Sequence, residues 1–137
     1  MFLKRKGFTL IELLVVIVII GLLASLVAPK LFGKLGEAKV KTAKAQISMI
    51  STALDAFNLD VGRYPTTQEG LKVLWQNNGI KNWHGKYLPK PITKDPWGHP
   101  YIYKSPGNNG NPYELKSLGA DGKEGGTGDN KDISVWE

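Results

Sequence analysis

The chain has 137 residues, 18 basic and 12 acidic side chains, a formal charge of +6 and no cysteine. That length holds one domain at most, and without cysteine no disulfide can staple it, even in an oxidising compartment. Half of the charge excess lies in Lys4, Arg5 and Lys6, leaving 15 basic against 12 acidic residues, too mild an imbalance to argue for a nucleic-acid partner. Two histidines, no Gly-x-Ser-x-Gly and no Gly-Lys followed by Ser or Thr leave neither a nucleophile elbow nor a phosphate loop. The expectation is therefore not an enzyme, with no small-molecule substrate.

From Phe8 to Ala28 run 21 residues whose only formal charge is Glu12. As a helix they span roughly 31 Å, about one hydrocarbon core. A carboxylate near the membrane edge costs a few kcal/mol unless it is answered, so Glu12 asks for a partner or, failing that, lipid headgroups. A secretory signal peptide shares the basic start, and Ser25 to Ala28 offers a cleavage site. Its apolar core, however, is about 7 to 15 residues, and it accounts for neither Glu12 nor the Pro29 that follows the cut. A plain signal anchor explains all but Glu12 and the abrupt Lys6-Gly7-Phe8 junction. Gly7-Phe8-Thr9-Leu10-Ile11-Glu12 resembles the class III signal of type IV pilin-like proteins, which implies peptidase cleavage after Gly7 and N-methylation of Phe8. Charge does not choose an orientation, because Lys30, Lys34, Lys39, Lys41 and Lys44 balance the leader.

Gly21 and Pro29 interrupt what otherwise reads as one helix. Pro29 removes a backbone donor and should kink or locally open the helix near Ser25 to Pro29. Val40, Ala43, Ile47, Ile50, Leu54, Phe57 and Val61 then recur at intervals of 3 and 4, an apolar seam. The seam either packs on the chain's own domain or pairs helices in a coiled coil. Gly62 ends the helix with a residue that tolerates the left-handed region.

Of the 16 glycines and 8 prolines, 12 and 7 lie in residues 62–137, so this part consists of short elements joined by turns. Thr66 or Thr67, with Glu69 or Gly70 three residues on, predicts a short capped helix to about Gln76, turning Leu71, Leu74 and Trp75 inward. Residues 77–98 read as irregular. Strands are expected at Pro100 to Lys104, Tyr113 to Ser117 and Ile133 to Trp136, the first two in an antiparallel connection. The expected fold class is α+β: a long N-terminal helix, transmembrane and then amphipathic, on a small antiparallel sheet. The domain plan is leader 1–7, transmembrane and polymerisation segment 8–28, amphipathic helix 29–61 and globular region 62–137.

Arg63-Tyr64-Pro65-Thr66-Thr67-Gln68-Glu69-Gly70-Leu71, Lys94-Asp95-Pro96-Trp97-Gly98-His99-Pro100-Tyr101 and Ser117-Leu118-Gly119-Ala120-Asp121-Gly122 are similar to the major pseudopilins of type II secretion systems. With the leader, the resemblance covers essentially the whole chain in order. It implies a pilin-like fold and a subunit that forms a homopolymer, a periplasmic pseudopilus driving export of folded proteins. A type IV pilus or DNA-uptake filament subunit is the alternative. The implied partners are minor pseudopilins, a prepilin peptidase and the inner-membrane secretion platform. The implied location is the inner membrane of a Gram-negative bacterium, single-pass, with the C-terminal domain in the periplasm. In a staggered polymer the amine of Phe8 could sit beside a neighbour's Glu12.

Residues 118–132 contain four carboxylates and five glycines. Calcium takes about 6 to 8 oxygens from carboxylates, amides and carbonyls, but by sequence alone a solvated acidic turn is as good a reading. The spacing is not that of an EF-hand. The pseudopilin resemblance implies a calcium site here, with Asp121 and Asp129 ligating through side chains, Leu118 and Lys123 through carbonyls, and Asn130 as a further ligand. Glu124 and Asp132 have no assigned role.

Overall fold

The computed structural model describes residues 7–137, and the basic leader residues Lys4, Arg5 and Lys6 lie outside that range. The chain divides into two compact units, Met1–Gly36 and Glu37–Glu137. One helix, α1 (Leu10–Val61, 52 residues), has its first part in one unit and its second part in the other.

In the first unit α1 buries no large side chain. No large apolar side chain from Phe8 to Leu35 is less than 45% exposed, and the best 18-residue window has a mean hydropathy of 3.0. Water does not tolerate a continuous apolar surface of that extent, so this part is built for lipid or for other protein. The helix runs through Pro29 as one element, Leu10–Val61. Proline still removes the donor that would meet the carbonyl four residues back.

In the second unit the apolar seam is the core. Ala43, Ile47, Ile50, Leu54 and Phe57 are at most 3% exposed, whereas Val40 and Val61 at its ends are partly buried. Spacing of 3 and 4 keeps these side chains on one stripe of α1, and that stripe packs against the chain's own Val73, Leu74, Leu88, Tyr101, Tyr113, Leu115 and Ile133. Of the two expectations, the intramolecular one is realised. Each such side chain contributes on the order of 1.5–3 kcal/mol by leaving water. Gly62 closes the helix at φ 87, its N–H bonding the Asn58 carbonyl at 2.8 Å. This is the left-handed termination that a residue without Cβ permits.

The sheet has three antiparallel strands in the order β1 (Ile102–Lys104), β2 (Glu114–Ser117), β3 (Ile133–Ser134). Tyr103 pairs with Leu115, and Ser117 with Ile133. On β2 the alternation buries Leu115 and Ser117 and half-exposes Glu114 and Lys116. All three strands are shorter than the sequence predicts. Pro100 joins only an isolated bridge to Lys94, and beyond β3 the Val135 N–H still bonds the Leu115 carbonyl at 3.0 Å.

The short helix predicted from Thr66 to Gln76 is a correction. Its capping pair forms, with Glu69 N–H donating to Thr66 Oγ1 at 3.1 Å and Thr66 N–H to Glu69 Oε1 at 2.8 Å. Gly70 at φ 66 then breaks the turn, and only a 3-10 turn, Leu71–Leu74, follows. Residues 77–98 lack regular structure but are tied down. The Trp83 indole donates to the Val73 carbonyl at 2.6 Å, and the N–H groups of Tyr87 and Leu88 share the Leu74 carbonyl.

Candidate functional site

Two places concentrate features that the core does not need: the start of α1 and the loop between β2 and β3. At the first, Thr9 is the N-cap, its Oγ1 accepting the Glu12 N–H at 3.1 Å while its carbonyl accepts the Leu13 N–H at 3.2 Å. A capped first turn satisfies helix donors that hydrocarbon could not. Glu12 lies in that first turn, where the positive end of the helix dipole favours a carboxylate. Among the described residues its side chain forms no ion pair, and Phe8 beside it is 84% exposed. Thr9 was not singled out in the sequence, although Thr-x-x-Glu ahead of an apolar run is the signal that finds such a cap.

The second place, residues 118–132, is a loop folded back on itself. The Ala120 N–H bonds the Asp129 carbonyl at 2.8 Å, the Gly122 N–H bonds the Gly119 carbonyl at 3.3 Å, and a 3-10 turn spans Gly128–Asn130. Gly119, at φ 77, lies so close to the returning strand that a Cβ there would stand 2.8 Å from the Lys131 carbonyl oxygen. The expected side-chain ligands Asp121 and Asp129 are exposed, as are Lys123 and Asn130, and Leu118 is half-buried. Asp121 Oδ1 accepts the Lys123 N–H at 3.1 Å. No three His, Cys, Asp or Glu side chains converge as a metal cluster among the described residues. A cation would therefore rely on carbonyls and the Asn130 amide beside two carboxylates, the donor mixture expected for calcium.

Asp132 supplies an observation the sequence did not. Its Oδ2 accepts the Gly125 N–H at 3.2 Å and lies 3.9 Å from Lys116 Nζ, but its buried Oδ1 has no hydrogen-bond partner. A buried acceptor left unpaired costs on the order of 1–3 kcal/mol, and a bound cation would remove that cost. The residues present thus fit a calcium ion.

A further group lies beneath this loop. Asp95, 5% exposed, accepts N–H bonds at Oδ1 from Trp97 (3.0 Å) and His99 (2.9 Å), and at Oδ2 the hydroxyl of fully buried Ser117 (2.7 Å). Ser117 Oγ in turn accepts the Gly119 N–H at 3.2 Å. The His99 ring meets the Ala120 carbonyl through Nε2 at 3.3 Å, so that nitrogen carries the proton. Ser117 donates directly to the carboxylate and is shut off from solvent, so these three residues form no nucleophile and base relay. His99 thus holds backbone in place, and Asp95, which the sequence places within the irregular stretch 77–98, is the centre of the group. Its partner lies 22 residues away, which no local pattern reveals.

An exposed apolar helix with a capped start and a carboxylate in its first turn, followed by an amphipathic half packed on a small antiparallel sheet, defines a membrane-anchored, pilin-like subunit. The family pattern described as the prokaryotic N-terminal methylation motif matches residues 3–28, and that of type II secretion system protein G matches residues 30–136. The type II secretion system core protein G of Pseudomonas aeruginosa is 47% identical over 138 residues, covering 98% of this chain and 96% of its own length. That of Vibrio cholerae is 44% identical, covering 97% and 92%. The crystal structure of the major pseudopilin from the type 2 secretion system of enterohaemorrhagic Escherichia coli superposes with a TM-score of 0.62 at 30% identity, over 79% of this chain and 95% of that one. The chain belongs to the type II secretion system protein G family.

Proposed function

We propose that this protein is a structural subunit of the type II secretion pseudopilus, polymerising through residues 8–28. The observation that carries the reading is the exposed apolar first part of α1, with Glu12 at its capped start. Such a surface is at home in a bilayer as a monomer and can then be covered by neighbouring helices in a filament. The family is structural rather than enzymatic.

Several finer steps belong to this proposal. A prepilin peptidase cuts after Gly7, and the new Phe8 amine is methylated. The segment 8–28 then anchors the subunit once in the inner membrane, with residues 37–137 in the periplasm. The platform and minor pseudopilins are its assembly partners. Glu12 and the Phe8 amine of a neighbouring subunit form a charge pair in low dielectric. Such a pair penalises misregister more than it adds net stability, because each charge left alone there is costly. Calcium held by Asp121, Asp129 and Asn130 with the Leu118 and Lys123 carbonyls orders a glycine-rich loop that has no disulfide. Asp132 Oδ1 is the further acceptor available to it.

Glu12→Ala in the full chain, expressed in a host carrying the peptidase, tests the assembly role. Membrane insertion and cleavage should persist while filaments and secretion fall. Filaments and secretion at parental levels would refute it.

A further inference from the structure

We propose that the turn 95–99 is a saddle that presets the ion-binding half of the 118–132 loop, with Asp95 and His99 as positioning residues that never touch the ion. The consequence for calcium rests on the calcium reading above; the mechanical claim does not.

The geometry carries the argument in two contacts. Through Oδ2, Asp95 fixes the Ser117 hydroxyl, and that hydroxyl is then oriented to accept the Gly119 N–H, so the backbone on either side of Leu118 is held before any ion arrives. Through Oδ1, the same carboxylate gathers the N–H groups of Trp97 and His99, and the Asp95 N–H bonds the His99 carbonyl at 2.7 Å. This places the imidazole under the loop. Its Nε2 holds the Ala120 carbonyl, and the Gly122 backbone rests on the ring so closely that a Cβ at Gly122 would stand 2.9 Å from Cε1. Asp121 is thereby gripped on both sides, by Ala120 and by Gly122. Asp95 forms none of the ion pairs among the described residues, so its buried charge is answered by hydrogen bonds alone. A buried carboxylate kept without a counter-charge is costly unless its bonds are all made. Here they join two segments that are otherwise unconnected in sequence. Partners beyond the ligands of a metal site orient those ligands, and their removal typically costs about 10–100-fold in affinity.

The test uses the full chain in detergent, with calcium as the probe and hydrogen exchange of the 118–132 loop measured in EGTA. Asp95→Ala, Ser117→Ala and His99→Ala should each speed exchange in the loop without ion and weaken calcium binding by about 10-fold or more. Asp95→Asn is the discriminating variant, since it keeps the Oδ1 acceptor for Trp97 and His99 but turns an amide donor toward the Ser117 O–H, removing one of the two contacts. It should speed loop exchange in EGTA and bind calcium more weakly than the parent, but less so than Asp95→Ala, which loses both contacts. If Asp95→Asn weakens calcium binding as much as Asp95→Ala while its loop exchange in EGTA matches the parent's, the carboxylate acts through its charge and the positioning role is wrong. Should Asp95→Ala fail to fold, Ser117→Ala and His99→Ala carry the same comparison. A parent chain that binds no calcium would refute the calcium reading alone. Unchanged loop exchange in EGTA across the variants would overturn the saddle whatever the ion does.

Discussion

If the seam on α1 is intramolecular core, Phe57→Ala must damage the monomer, whereas a neighbouring seam-free position must not. Phe57 is fully buried, and its ring meets Tyr87 edge-on with centroids 5.7 Å apart. The Tyr87 hydroxyl is in turn fixed by Asp60 at 2.7 Å, so the partner ring cannot readily collapse into the space left behind. A Phe→Ala truncation at such a site costs about 3–5 kcal/mol, the upper part applying where the cavity persists. Against a total stability on the order of 5–15 kcal/mol that is about a fifth or more. For a unit of this size it lowers the melting temperature by at least about 12 °C. Leu59, two residues on, is 85% exposed, and Leu59→Ala should change stability by no more than about 0.5 kcal/mol. Thermal and urea unfolding of the full chain in detergent, followed by tryptophan fluorescence, compares the two. Equal small losses, or a Phe57→Ala chain that is stable but fails only to assemble, would show the seam to be an intermolecular surface and refute the packing argument.

Burial raises the pKa of the Tyr64, Tyr101 and Tyr103 hydroxyls, Tyr64 to about 12 with further help from Asp55, and Tyr101 also feels Asp95. A folded-state pKa above the unfolded value gives stability that is full below pH 10 and is lost as pH rises through the folded values. Melting should therefore fall above pH 10, and absorbance at tyrosinate wavelengths should rise later in the folded chain than in urea. Glu69 is held below its ordinary 4.5, first by its hydrogen bonds from Arg63, at 2.6 and 3.1 Å. A depressed carboxylate stabilises above 4.5 and loses that contribution as pH falls through its folded value. The pair is largely solvent-exposed, so Glu69→Gln should cost at most about 1 kcal/mol at pH 7 and still less in acid. Gly62→Ala should cost about 1 kcal/mol, because φ is positive there although no atom obstructs the added methyl; a stabilised variant would contradict the left-handed termination. Millimolar calcium should raise the melting temperature of the full chain relative to EGTA by mass action, and Asp121→Ala should erase the difference.

The parts of the fold legible in the sequence are those set by short periods. The 3 and 4 spacing from Val40 to Val61 located the core stripe, Gly62 its end, and the three strands formed inside the turn-bounded segments expected for them. Missed were the outcomes decided by one dihedral or by distant partners. Thr66 and Glu69 cap a turn that Gly70 then prevents from growing. Residues 77–98 show only turn signals, although Trp83 and Tyr87 anchor them to Val73 and Leu74. At the candidate site, glycine and carboxylate content marked the loop. Its support by Asp95 and its unanswered Asp132 oxygen depend on chain segments brought together only by the sheet.

The most direct measurement is the extracellular protein profile of the source bacterium after deletion of the gene for this chain. The account predicts that exported proteins accumulate folded in the periplasm, that the intact chain restores secretion, and that the restoring protein begins at Phe8. Normal secretion in the deletion strain, or a functional protein whose N-terminus lies at Pro29, would contradict it.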